Sequence, residues 1–168
     1  MNIYANMFRK SASNYISRLK KEEKMLNILD ELENRGYIEQ LTDKRGLKEL
    51  LEKEKIPFYI GIDPTADDLH IGHFFGLQMA RILQECGHRC MVLVGGATAL
   101  IGDPTNKSDM RKILSKEEVA RNAREISSLI KRFVVTDGDN PATIVDNADW
   151  LKPATYIDFL RDVGVHFN

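Results

Sequence analysis

The sequence predicts an α/β fold built on a parallel sheet, and three observations carry that expectation. Short apolar runs rich in strand formers alternate with longer stretches of helical periodicity. The run Cys90-Met91-Val92-Leu93-Val94 is continuous in hydrophobicity, as a parallel strand covered on both faces should be. Strands that alternate with helices imply right-handed crossovers, which make neighbouring strands parallel.

Taken in order, Met25, Ile28, Leu29 and Leu32 fall at helical spacing, and Gly36 sits where a helix C-terminal glycine belongs. Thr42 and Asp43 offer caps for a second helix, with Leu47, Leu50 and Leu51 as its expected buried stripe. Phe58-Tyr59-Ile60-Gly61-Ile62 reads as a strand broken by Asp63-Pro64-Thr65. A helix begins near Leu69, with Phe75, Met79, Ile82 and Leu83 along one side and Gly87 at its end. The next strand, 90–94, runs into Gly95-Gly96-Ala97-Thr98, a loop that lets backbone approach a ligand closely. Residues 103–111 are polar and charged, a loop expectation. Ser115 with Glu118 forms a capping box, and Val119, Ala123, Ile126, Ile130 and Phe133 give the strongest helical stripe in the chain. After the turn Asp137-Gly138-Asp139-Asn140-Pro141, residues 142–145 read as a third strand. Thr155 and Asp158 then start a last helix carrying Tyr156, Phe159, Leu160 and Val163, closed by Gly164.

Bulk properties narrow the function classes. The 168 residues are 43% apolar and 29% charged, the balance of a globular domain with a real core. No apolar run approaches the roughly 20 residues of a membrane span, so no membrane role is expected. A net charge of −1 gives no global attraction to polyanions, so any RNA contact relies on a local patch. Two cysteines make no disulfide framework and fit a reducing cytoplasm. Cys86, His88 and Cys90 lack the fourth ligand of a structural zinc site, so this run reads as a helix end leading into a strand. Residues 1–24 stand apart as a basic extension, with no acid before Glu22. They share features with a transit peptide and equally fit an upstream extension. The expected division is therefore 1–24, a helical lead-in over 25–57, and the α/β unit over 58–168.

Ligands of parallel sheets sit beyond the carboxyl ends of the strands. Two unusual segments fall there: His70-Ile71-Gly72-His73 and the glycine loop from Gly95. Neither G-x-G-x-x-G nor G-x-x-x-x-G-K-[ST] occurs, so the common dinucleotide and P-loop sites are not supported. His70 and His73, three apart in a first helical turn, share a side and can donate to phosphate or ribose oxygens at a helix N-terminus. Gly72 between them leaves room for a flat purine. Alone, the pair reads equally well as two surface histidines, and Lys107 and Arg111 as solvated loop charges.

The stretch 59–73, YIGIDPTADDLHIGH, closely resembles the signature of tyrosyl-tRNA synthetases, class I enzymes that activate tyrosine with ATP. Two further blocks are similar to that family in the same order: 94–105, VGGATALIGDPT, and 147–151, NADWL, followed by 159–164, FLRDVG. The resemblance runs from about Met25 to Asn168. It implies the first half of a Rossmann-like parallel sheet with helices on both faces, preceded by two short helices. It also implies that Thr65 and His70 bind the ATP γ-phosphate, and that His73 and Asp63, with Gly61 and Gly72, lie on the ribose and adenine side. Lys107 and Arg111 would close over pyrophosphate. Tyr59 would meet the substrate phenol, Thr98 and Asp103 its ammonium group, and Asn147 would support that pocket. Mg²⁺ accompanies the ATP; tRNA(Tyr) and a second copy of the chain are the partners of the full-length enzyme. Gly76 departs from relatives that carry a ribose-contacting residue there. The family's Lys-Met-Ser-Lys-Ser-like loop does not occur in this chain, which is expected to be a portion inactive alone. Other readings are a cytidylyltransferase-type H-x-G-H nucleotidyl transferase and a stand-alone nucleotide-binding module.

Overall fold

The computed structural model describes residues 28–101 and 114–167. Two helices, α1 (Ile28–Asn34) and α2 (Lys44–Lys53), lead into β1 (Pro57–Ile62), α3 (Ile71–Glu85) and β2 (Arg89–Val94). The one-turn helix α4 (Thr98–Ile101) follows, then α5 (Lys116–Ile130), β3 (Thr143–Asp146), the one-turn α6 (Ala148–Leu151), α7 (Tyr156–Asp162) and a 3₁₀ turn at Gly164–His166. The predicted order of elements stands, with α4 and α6 added where the sequence suggested loop. Residues 1–27 and the predicted polar loop at 103–111 lie outside the described residues.

The terminators act as their chemistry requires. Asp43 caps α2 by accepting from the Gly46 amide at 2.8 Å. Ser115 accepts from Glu118 N at 3.1 Å while the Glu118 carboxylate accepts from Ser115 N at 2.9 Å, a reciprocal capping box. Gly36 and Gly87 end their helices at φ 73° and 93°, a region that L side chains avoid.

The three strands form one parallel sheet in the order β1-β2-β3. Ile62, Cys90, Val92 and Val94 point to one face and join Leu77 and Ala80 of α3 and Ala123, Ile126 and Ile130 of α5 in the core. Full burial of an aliphatic side chain such as Val92 stabilises the fold by about 1.5–3 kcal/mol. The opposite face is open among the described residues: Tyr59 is 68% exposed and Met91 42%. Burial of β2 therefore alternates, whereas the sequence suggested cover on both faces. The reason is topological. Two right-handed crossovers that advance in the same direction, β1 to β2 to β3, lay both helices on the same side of the sheet. The α/β class and the parallel sheet stand; the second helical layer is not among the described residues.

Two buried faces differ from the sequence reading. In α2, Leu51 is buried and Leu47 half-buried, but Leu50 is exposed, standing about 100° around the helix from Leu51. In α3 the buried residues are Leu77, Ala80, Ile82 and Gln84, while Phe75 turns outward against the Tyr37 ring at 4.5 Å. That helix is apolar on several sides, so periodicity did not single out the buried one.

A buried polar cluster fixes the connection into β3. The Gln84 side chain donates to the carbonyls of Val135 and Asn140, both at 2.8 Å, and accepts from Val135 N at 3.0 Å. Asn140 answers by donating to the carbonyls of Gln84 and His88. His88 is buried, and its Nδ1 accepts from Ile56 N at 3.3 Å. Cys86 caps the end of α3 and Cys90 is buried in β2, both as free thiols. Among the described residues no group of three or more metal-binding side chains assembles, and no helix is long and apolar enough to cross a membrane.

Candidate functional site

The strand register brings three chain segments to a common level. Ile62 pairs with Val94, and Val94 with Asp146, so β1, β2 and β3 finish side by side. The ladder extends one step further, Gly95 N donating to Ile62 O at 2.9 Å and Asn147 N to Val94 O at 3.0 Å. Asp63, Gly95 and Asn147 are thereby held at the carboxyl edge of the sheet, where parallel sheets bind ligands.

A hydrogen-bond chain ties these segments together. Thr98 Oγ1 donates to Asp63 Oδ1 at 2.9 Å and lies 3.2 Å from Gly95 O. Asn147 Nδ2 donates to the same hydroxyl at 3.1 Å, and Asn147 Oδ1 accepts from Ala97 N at 2.7 Å. Asp146 Oδ1 accepts from Gly96 N and Ala148 N, each at 2.9 Å. Gly95 and Gly96 are necessary here, because a Cβ on the first would overlap Asp63 and sit 2.5 Å from Thr98 Oγ1. A Cβ on the second would overlap the Asp146 carboxylate.

Asp63-Pro64-Thr65 turns the chain from β1 toward α3. Thr65 N donates to Asp63 O at 2.9 Å, Pro64 is fully buried, and buried Asn122 of α5 donates to Pro64 O at 3.3 Å. Thr65 itself is exposed.

His70 is the N-cap of α3. Its Nδ1 accepts from Gly72 N at 3.1 Å and His73 N at 3.4 Å, while His73 Nδ1 accepts from His70 N at 3.4 Å. The two rings stack at 3.7 Å with 19° between planes. An Nδ1 that accepts carries no proton, so each neutral ring bears its hydrogen on Nε2 and keeps one N–H donor for a ligand. Burial, with His70 beside it, holds His73 below the usual histidine range, favouring that neutral form. Glycine at 72 also has a local reason. A Cβ there would stand 3.0 Å from His70 Cε1 and 3.1 Å from Nδ1, so Gly72 accommodates the capping imidazole. Gly61 and Gly76, on β1 and α3, are open, with nothing within 4 Å of an added Cβ.

The sequence-predicted residues thus form two groups, Asp63 with Thr98 and Asn147, and His70 with Gly72 and His73. Tyr59 and Gly61 follow on the open face of β1, and Thr65 on the turn. Asp103, Lys107 and Arg111 lie outside the described residues. Asn122 and Asp146 were not singled out by sequence reasoning, because an isolated asparagine or aspartate at a strand or helix position gives no spacing signal.

Residues 50–168 match the family of class I tRNA synthetases for tryptophan and tyrosine. Tyrosine–tRNA ligases of Clostridium botulinum and Acetivibrio thermocellus are each 51% identical to the chain over 144 residues, covering 86% of it and 35% of the relative. The chain spans about a third of the length of the curated relatives it matches. In fold, it is similar to a C-terminally truncated mitochondrial tyrosyl-tRNA synthetase of Aspergillus nidulans. That likeness has a TM-score of 0.72 at 21% identity and covers the whole chain and 49% of the other. The corresponding Coccidioides posadasii structure gives 0.68 at 20% identity, with the same coverage. With the family matched over residues 50–168, the chain belongs to the class I tRNA synthetases of the tryptophan and tyrosine group.

Proposed function

We propose that this chain carries one wall of an adenylate-forming site, in which tyrosine attacks the α-phosphorus of ATP to give tyrosyl-adenylate and pyrophosphate. The whole enzyme then passes the tyrosyl group to tRNA(Tyr), in the cytoplasm and as a homodimer. The observation that carries the reading is the pair of stacked, capping imidazoles at the start of α3, beside the carboxyl edge of the sheet. Identity of 51% to tyrosine–tRNA ligases favours tyrosine over tryptophan within the family.

The chemistry asks for positioning and charge stabilisation. The tyrosine carboxylate is ionised at neutral pH, so its attack needs neither a general base nor a protein nucleophile. The Nε2–H groups of His70 and His73, with Thr65 and the helix start, supply donors for phosphate and ribose oxygens. The open backbone at Gly61 leaves space for a flat group against β1. In this reading Asp63 is assigned to the nucleotide, Thr98 and Asp103 to the substrate ammonium group, Asn147 to the support of that pocket, and Lys107 and Arg111 to the pyrophosphate. Tyr59 meets the substrate phenol, a partner that favours tyrosine over phenylalanine once water is excluded. Mg²⁺ fits as a companion of the ATP phosphates, whose charge it neutralises. Asp63 and Asp146 already accept hydrogen bonds from the protein, and Mg²⁺ is commonly held through substrate phosphates.

The test is ligand binding by the purified chain. ATP binds and CTP does not, and His70→Asn, which keeps a capping acceptor, weakens ATP at least severalfold. Tyrosine-dependent ATP–pyrophosphate exchange by this chain alone is absent. CTP preferred over ATP would replace this reading with a cytidylyltransferase, and tryptophan preferred over tyrosine would reverse the substrate assignment.

A further inference from the structure

We infer that Asp146 is a positioning residue of this site, acting with Asn147 as a two-residue clamp that sets the orientation of the Asp63 carboxylate from the far strand of the sheet. The two residues are consecutive at the end of β3, and they hold consecutive amides of the loop after β2. Asp146 Oδ1 takes Gly96 N at 2.9 Å, and Asn147 Oδ1 takes Ala97 N at 2.7 Å. With two adjacent amides fixed, the next residue, Thr98, has little rotational freedom. Its hydroxyl accepts from Asn147 Nδ2 at 3.1 Å and donates to Asp63 Oδ1 at 2.9 Å, the shorter of its two acceptor contacts, with Gly95 O at 3.2 Å. The clamp thus reaches from β3 across the β2 loop to the residue after β1.

Two further observations support it. Asp146 Oδ1 also accepts from Ala148 N, which fixes the carboxylate rotamer from its own side. Gly96 leaves no gap for a side chain, since a Cβ there would overlap Asp146, so the contact has no slack. Asp146 acts through lone pairs on one oxygen, and its negative charge is not required. An asparagine in its place can accept both bonds. The functional consequence rests on the adenylate-site reading; the clamp does not.

The experiment uses the purified, isotopically labelled 168-residue chain. In Asp146→Ala, amide exchange at Gly96 and Ala148 accelerates roughly tenfold or more, the scale of losing a hydrogen bond to a charged acceptor. Amides of Leu77, Val92 and Ile126 keep their protection. Asp146→Asn restores Gly96 protection to within about threefold of the unaltered chain, about 0.7 kcal/mol in opening. The Asp63 carboxyl-carbon resonance moves in Thr98→Val and in Asp146→Ala, and returns in Thr98→Ser and Asp146→Asn. ATP affinity falls severalfold in Asp146→Ala and recovers in Asp146→Asn. Unchanged Gly96 exchange in Asp146→Ala overturns the clamp, as does an asparagine variant that behaves like alanine. If protection follows the expected pattern while the unaltered chain fails to bind ATP, the clamp stands and the adenylate-site reading falls.

Discussion

Replacing Gln84 with leucine removes three hydrogen bonds at one stroke while keeping an apolar volume in the core. The lost bonds are the donations to Val135 O and Asn140 O and the acceptance from Val135 N. Val135 O keeps a partner, because Ala142 N donates to it at 2.6 Å. Val135 N and Asn140 O lose the bonds that Gln84 gives them, and both residues are half-buried. At about 1–2 kcal/mol for each orphaned group, the variant loses about 2–4 kcal/mol, a large share of an ordinary domain's stability. Urea unfolding followed by far-ultraviolet circular dichroism measures this, the midpoint falling by about 1–2 M with the slope unchanged. A companion, Gln84→Glu, keeps the acceptor for Val135 N but sets an oxygen against two carbonyls. It is destabilised at neutral pH and recovers as acid protonates it into a donor. A midpoint shift under about 0.3 M for the leucine variant, well below the predicted loss, would refute the reasoning.

Three further outcomes follow from the same geometry. Burial, with the charge of Lys55 adding to it, holds His88 below its ordinary value of 6.5, so below that pH the unfolded chain takes up a proton that the native chain resists. Stability is therefore complete above about pH 6.5 and declines as pH falls toward the native value. His73 contributes in the same sense, and His88→Gln flattens the dependence of the urea midpoint on pH between 7.5 and 5. His70→Ala loses the cap of α3 and about 0.5–2 kcal/mol by denaturant unfolding, whereas His70→Asn recovers that loss without recovering ATP affinity. Burial raises Cys86 and pushes Cys90 up to about 11, so Cys90 resists thiol reagents at pH 8 in the folded chain and reacts on unfolding, counted by thiol titration.

Much of this was legible in the sequence. Caps and terminators at Asp43, Ser115, Thr155, Gly36 and Gly87 act through neighbours a few residues away, so local spacing reveals them. The stripe Val119, Ala123, Ile126, Ile130 is buried as its period demanded, because the other side of α5 is polar. In α3 the same reasoning found Ile82 but not Leu77 and Ala80, since Ile71, Phe74, Phe75, Met79 and Leu83 make other directions apolar too. The polar residues that tie distant segments together were the hardest to find. Gln84, Asn122 and Asp146 bond to partners about 50 or more positions away, and no local pattern encodes such a pairing. Gly72 has a local role that its spacing did not announce: the group beside its missing Cβ is the imidazole two residues earlier.

The shared level at which Ile62, Val94 and Asp146 end has a consequence for how such a chain tolerates change in length. Inserting one residue inside β2 would carry Gly95 about 3.3 Å past its neighbours and turn every later side chain of the strand to the opposite face. Gly96 would leave Asp146, and Thr98 would leave Asp63, although no site residue had been altered. The same insertion in the exposed turn at 137–139 passes without displacing any strand end. Length variation in this chain is therefore confined to its connections, while its strands act as fixed rulers.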